Sequence, residues 1–292
     1  MFIVKYKSLF IGIAVAMVIG SLVLVNHYGI KQGIDFTGGT VIEISYASTT
    51  VPRIDTASLL QKEIKTYPTS PTSFKFISTK KYEETMAILE AVLNKKSSSY
   101  MVTQVNTVGA TMGKEMTKKA LIAITVVVLA ILSFIAFAFR EVSLPVASWK
   151  YGVAAMVTII HDIIIPTGVY AVLSAKYGAE IDTLFVVALL TIMAVTISDK
   201  IVVFDRIREN LKLSSNKKNF DDVVGESLIQ TFARSVNTSL TTVLSLLALY
   251  FFGPETTKFF ALTLMVGIVV GTYSSIFVAS PLLTMWNKNK KS

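Results

Sequence analysis

The sequence predicts a polytopic α-helical membrane protein with six transmembrane helices and one soluble α+β domain exposed outside the membrane. Three observations predict it. Of 292 residues, 52% are hydrophobic and only 16% charged, and mean hydropathy is +0.60. Two long regions carry the apolar excess, for which the bilayer is the natural solvent. Residues 29–119 differ, with twelve Lys/Arg and eight Asp/Glu among ordinary polar residues. The predicted organisation is therefore a first transmembrane helix over 1–28, an extracytoplasmic domain over 29–119 and five further helices over 120–292.

Crossing the hydrocarbon core takes about 20 apolar residues, and the backbone must satisfy itself within each segment. The runs that meet this are Ser8–Asn26, Ala120–Phe139, Ala147–Leu173, Thr183–Phe204, Val236–Phe252 and Phe259–Trp286. The first could be read as a signal peptide. Its small-x-small match, Ala14 and Ala16, falls too early in the run for cleavage, so a retained anchor is expected.

Orientation follows from basic residues. An N-terminus inside puts Lys5, Lys7, Arg140, Lys150, the 205–235 segment and Lys288–Lys291 in the cytoplasm. That makes thirteen Lys/Arg inside, against Lys176 and Lys258 in the short outer loops. Both termini are expected to be cytoplasmic. The formal charge of +9 is then a topology signal, and no nucleic-acid partner is expected.

Within the soluble domain the pattern predicts strand 40–46, helix 55–66, strand 73–78, helix 82–95 and strand 101–107. TVIEISY alternates with period two, while SLLQKEIK and EETMAILEAVL carry helical spacing. Pro68 and Pro71 punctuate the turn between the first helix and the second strand. Helices that cover one face of a small sheet give an α+β sandwich. Two membrane helices carry small residues at every fourth position: Gly12, Ala16, Gly20 and Gly267, Gly271, Ser275, Ala279. Such ridges let helix backbones approach closely in lipid, most simply within the chain.

The chain has no cysteine and only two histidines. Disulfides and thiol chemistry are excluded, and neither a metal site nor a cofactor is expected. No nucleophile–base pair points to an enzyme. FTGGT lacks the Lys-Ser/Thr and following helix of a phosphate loop. Gly38 and Gly39 are expected to make a tight turn into the first strand.

Chemistry in the membrane falls to Asp162 and Asp199, the acids well inside a span. Charges there are costly and usually functional. Asp199 is short and needs a buried partner or a proton, whereas Lys200, about 100° round the helix, is expected to snorkel to the interface. Arg234 is the candidate partner of Asp199, at the foot of a polar stripe through Asn237, Thr241 and Ser245. A carboxylate tuned by burial and a movable arginine can be loaded and emptied of a proton. Asp162, beside His161 and one turn before Pro166, is open to two readings, an accessory relay or a structural hydrogen bond. The span boundaries place it about 9 Å from Asp199 along the helix axis.

GIDFTGGT after the first helix, VGATMGKE before the second, HD in the third, SDKIVVFDRIREN in the fourth and QTFARSVNTSLTT in the fifth resemble the SecF family. That family is the membrane-subunit branch of SecD/SecF within the resistance-nodulation-division superfamily, and the match spans almost the whole chain. DFTGG is closer to SecF than to its SecD paralogues. The resemblance implies a ferredoxin-like outer domain, a six-helix half-bundle, a SecD-like partner, the Sec translocon channel and unfolded exported polypeptide as client. It implies protein export driven by the proton-motive force in a bacterial inner membrane, with the family's aspartate at Asp199 and its arginine at Arg234. Ser198-Asp199-Lys200 stands where the family usually has Asn-Asp-Thr, and Lys200→Thr is expected to be tolerated or to raise the proton affinity of Asp199. Two alternatives are a small-molecule or lipid exporter subunit of the same superfamily and a passive translocon assembly subunit.

Overall fold

In lipid, an apolar run satisfies its backbone only by closing into a helix. The computed structural model describes residues 2–46, 59, 63–93, 100–138, 147–214 and 218–286. Among these, six helices are long and apolar enough to cross a membrane. They are α1 (Lys7–Tyr28), α3 (Ala110–Ala138), α4 (Ser148–Tyr177), α5 (Thr183–Leu213), α6 (Phe220–Phe252) and α7 (Lys258–Ser274). The last continues through a π-helical turn, Ser275–Ala279, into Ser280–Met285. The soluble domain supplies β1 (Gly39–Tyr46), β2 (Ile64–Ser70), β3 (Ser73–Ser78), α2 (Tyr82–Leu93) and β4 (Tyr100–Val108).

The chain forms two compact units. One comprises Met1–Gly29, Ile124–Val172 and Leu184–Ser292; the other comprises Ile30–Ala123 and Leu173–Thr183. The connection between α4 and α5, which the sequence leaves with the membrane helices, thus belongs with the sheet.

In the helical unit, α5 and α6 run well past the apolar spans. The 205–235 segment, expected as a charged cytoplasmic loop, is helical to Leu213 and again from Phe220. The reason is amphipathicity. Phe204, Ile207, Phe220, Val224 and Leu228 pack into one core with Tyr151, while Arg206, Glu209 and Gln230 pair with one another on the outer face. At this end of the bundle Lys7 Nζ donates to Asp221 at 3.0 Å and Thr284 at 2.9 Å, and Lys150 Nζ to the Trp286 carbonyl at 3.2 Å. These bonds bring the beginning of α1 and the end of the last helix to the same end of the unit.

The two small-residue ridges differ. A Cβ on Gly267 would meet Ile192 and one on Gly271 would meet Thr196, so that ridge packs α7 onto α5. Gly12, Ala16 and Gly20 are exposed, and α1 turns Ala14 and Ser21 inward instead. Gly168 of α4 sits where a Cβ would lie 2.6 Å from Ser21 Cα, whereas Gly12 has nothing within 4 Å. Overpacking costs about 1–3 kcal/mol. Gly168→Ala is therefore expected to lower the detergent melting temperature by several degrees and Gly12→Ala to leave it unchanged.

In the sheet unit the strand order is β2-β3-β1-β4, with every adjacent pair antiparallel. That is the ferredoxin-like arrangement. Ile42, Ile44 and Tyr46 alternate inward from β1 and meet Phe76, Leu89 and Leu93 in a separate core. Most of the expected helix 55–66 lies outside the described residues; Leu59 is helical and fully buried in this core. The expectation fails at its end, because Ile64–Thr66 are already strand and Pro68 lies inside β2 rather than in a turn. β2 is an edge strand, where a proline costs no ladder bond on the free side.

The α4–α5 connection adds Glu180 to this unit, only 7% exposed. Burial pushes its carboxyl above the ordinary carboxylate range, against the opposing pull of Lys75, Lys65 and Lys31. A carboxyl whose affinity for protons is raised by folding stabilises the fold when protonated, and that contribution is lost as pH rises through its folded value. Thermal stability of the parent is expected to rise as pH falls across this range. Glu180→Gln should flatten that part of the profile and stabilise the protein at neutral pH.

Candidate functional site in the membrane helices

Polar side chains converge where α4, α5 and α7 meet. Asp162 and Lys200 are both fully buried, and Lys200 Nζ donates to Asp162 Oδ2 at 2.6 Å. The other carboxylate oxygen, Oδ1, faces His161 Nδ1 at 3.0 Å. A carboxylate only accepts, so this ring nitrogen carries the proton. Lys200 also approaches the Thr196 carbonyl at 3.4 Å.

Local sequence explains the cluster. Pro166 removes the N–H that would bond the Asp162 carbonyl in the helix, so the backbone as well as the side chain is polar here. The α7 wall is a glycine, Gly271, whose absent Cβ lets Thr196 and Asp162 approach its backbone. Ser274 lies beside the same carboxylate, immediately before the π-helical turn. Such turns interrupt the regular ladder and recur at functional sites.

Lys200 therefore does not snorkel. It lies on the buried stripe Ile192, Thr196, Lys200, Val203 and Ile207, and α5 continues far beyond it, so its stem cannot reach a helix end. The ammonium turns back toward Thr196 and forms a neutral buried pair with Asp162. Asp162 thus makes an ion pair with Lys200 beside its hydrogen bond with His161, contacts that either a relay or a structural role would use. Gly271 faces the side chains of both Asp162 and Thr196.

Asp199 lies on the neighbouring face of α5 and is half-buried. Its Oδ1 accepts a hydrogen bond from Ser235 Oγ of α6 at 2.5 Å. Arg234, expected as its partner, is exposed. It stands well inside α6 rather than at its start, and adjacent helical positions point about 100° apart, so Ser235 takes the position opposite Asp199. Sequence reasoning passed over Ser235; its signal was an alternation of Thr231 and Ser235, one turn apart and both buried. Among the described residues, none hydrogen-bonds the buried Asp199 Oδ2, Thr196 Oγ1 or His161 Nε2. Among the described residues, Asp199 thus has one oxygen held by Ser235 and makes no ion pair. Asn237, Thr241 and Ser245 are exposed on α6 beside Arg234.

Among the described residues no cluster of His, Asp and Glu could hold a metal ion.

Residues 88–289 match the family model described as Protein export membrane protein SecD/SecF, C-terminal, and residues 23–50 match the SecD/SecF GG motif. The protein translocase subunit SecF of Thermobaculum terrenum is 38% identical over 300 residues, covering 97% of this chain and 93% of its own length. That of Anaerolinea thermophila is 34% identical, with the same two coverages. Among solved structures, the crystal structure of SecDF from Thermus thermophilus, a translocon-associated membrane protein, superimposes with a TM-score of 0.83 at 32% identity. The match covers 97% of this chain and 38% of that one. The chain thus spans little more than a third of that SecDF and nearly the full length of these two SecF relatives.

Proposed function

Because the chain belongs to the SecD/SecF family of protein-export membrane proteins, with SecF subunits as its full-length relatives, we propose that it couples the proton-motive force to late steps of polypeptide export. It does so in a bacterial inner membrane, with both termini cytoplasmic and the α+β domain outside. Its partner is a SecD-like subunit, and the pair acts beside the Sec translocon channel on unfolded exported chains.

The observation that carries this reading is Asp199, an intramembrane carboxylate with one oxygen held by Ser235 and the other buried and, among the described residues, uncommitted. Such a group holds its place whether charged or neutral. Arg234 and the exposed polar face of α6 supply the responding element. With Asp199 ionised, the arginine is drawn toward it; with Asp199 protonated, the attraction is lost and α6 is free to shift. Arg234, Asn237 and Thr241 are too polar to face lipid, and a second six-helix half would cover them. The Thermus thermophilus SecDF, of which this chain matches 35% of the length, supports a SecD-like occupant.

The test uses vesicles containing the chain, its SecD-like partner and the channel. The gain in export that the chain confers should vanish when the proton gradient is collapsed at constant ATP. A gain that survives collapse would establish a passive assembly subunit instead. For topology, a reporter active only outside the cytoplasm should work near Ser70 and fail after Lys288; activity at both positions overturns the orientation.

A further inference from the structure

We propose that the segment Lys31–Gly39 is a rigid clasp carrying movement of the α+β domain into helix α5, with Asp35 as a positioning residue for Asp199. This rests on the reading of Asp199 as the proton site. The clasp has three contacts, all within the sheet unit.

The first is with the α4–α5 connection. Gly33 N–H donates to the Ile181 carbonyl at 2.8 Å and Ile181 N–H returns a bond to the Lys31 carbonyl at 2.8 Å. Gln32 and Ile181 thereby form a parallel bridge. A Cβ on Gly33 would stand 2.9 Å from the Ile181 oxygen, so the approach requires glycine.

The second is with α5 itself. Asp35 Oδ2 accepts the N–H of Thr183 at 2.9 Å, and Thr183 is the first residue of α5. A carboxylate at that amide satisfies an orphan donor and faces the positive end of the helix dipole.

The third is with β1 and the first turn of α3. Gly38 and Gly39 have φ of +75° and +132°, the tight turn expected into β1. They also pack closely: a Cβ on Gly38 would lie 2.7 Å from Ala110 Cα, and one on Gly113 would lie 2.8 Å from the Phe36 carbonyl oxygen. The approaches at Gly33, Gly38 and Gly113 end on backbone, which cannot yield as a flexible side chain would.

One short segment therefore grips the sheet, the start of α3 and the start of α5. From Thr183, α5 runs to Asp199 over about 24 Å with neither proline nor glycine in it. A displacement of its first turn is delivered to Asp199 rather than absorbed by a kink.

The test compares full-length variants in export vesicles at equal abundance. Asp35→Ala is expected to lower gradient-dependent export about fivefold, the factor by which losing a helix N-cap shifts an equilibrium. Export measured with the gradient collapsed should stay at the parent level, whereas a merely structural defect would lower both. The chain has no native cysteine, so Gln32→Cys with Ile181→Cys gives a unique pair across the bridge. Oxidised, this pair should export as the parent does, and it should restore Asp35→Ala; reduction should reverse the restoration. Parent-like export by Asp35→Ala overturns the clasp, as does export blocked by the oxidised pair, or failure of a formed disulfide to restore. If Asp35→Ala does not accumulate, Gly33→Ala with and without the same lock decides by the same readouts. Asp199→Asn in parallel keeps the two ideas apart: gradient-dependent export in that variant refutes the proton site, while loss and rescue at Asp35 still report transmission.

Discussion

Lys200→Thr is expected to destabilise the helix bundle by about 3–5 kcal/mol, the cost of leaving one member of a buried pair alone. Asp162 is fully buried, and its Oδ2 is held by the Lys200 ammonium at 2.6 Å. Threonine removes that charge and is too short to reach it. The carboxylate would then be ionised without a counter-charge or forced to take a proton, and the volume of the lysine stem would be lost. The buried pair thus leads to the opposite expectation from the tolerance that the family pattern suggests. The check is thermal unfolding in detergent with abundance measured in membranes. Lys200→Met combined with Asp162→Asn should recover most of the loss, since volume is kept, both charges go, and the asparagine oxygen still accepts from His161. A single variant as stable as the parent would show that the pair contributes nothing.

Both members of this pair were visible as intramembrane charges, but each was judged against the nearest helix end. Lys200 was assigned to an interface because the apolar run stops at Phe204, whereas α5 continues to Leu213. Apolar length marks where lipid ends, not where a helix ends. The amphipathic continuation, with Val203 and Ile207 following Lys200 inward, carried the missing information. Arg234 was misplaced for the same reason, since α6 begins at Phe220 and turns Ser235 toward Asp199.

The soluble domain was more legible where periodicity and burial agree. β1 and α2 each bury one face more deeply than the other, so residue periodicity reports them directly. β2 was lost because IKTYPTS contains a proline and edge strands need no full ladder. GIDFTGGT was read for its turn, and that turn is present. What the sequence could not show is that Gly33 and Asp35 of the same motif touch Ile181 and Thr183, residues remote in the chain. Backbone contacts of that kind leave no periodic trace.

Asp199→Asn is expected to abolish gradient-dependent export, down to the level measured with the gradient collapsed, while leaving fold and insertion intact. Stability should hold because the described bonds of Asp199 do not depend on its charge. An asparagine oxygen can accept from Ser235 Oγ as the carboxylate does at 2.5 Å. Arg234 is exposed, so neutralising Asp199 strands no buried cation, in contrast to Asp162. The pair of substitutions Asp199→Asn and Asp162→Asn therefore separates chemistry from packing within one bundle. The first should lose coupling at parental melting temperature; the second should lose melting temperature because Lys200 is left uncompensated. Arg234→Ala belongs with the first group, with unchanged melting and reduced gradient dependence, since its proposed work is electrostatic and the residue is exposed. The measurement is export in vesicles at equal protein abundance, with and without the gradient, beside detergent melting curves for each variant. If Asp199→Asn exports with full gradient dependence, Asp199 serves only to hold α5 to α6 through Ser235. If it melts early, the bond to Ser235 needs the negative charge and the residue is structural.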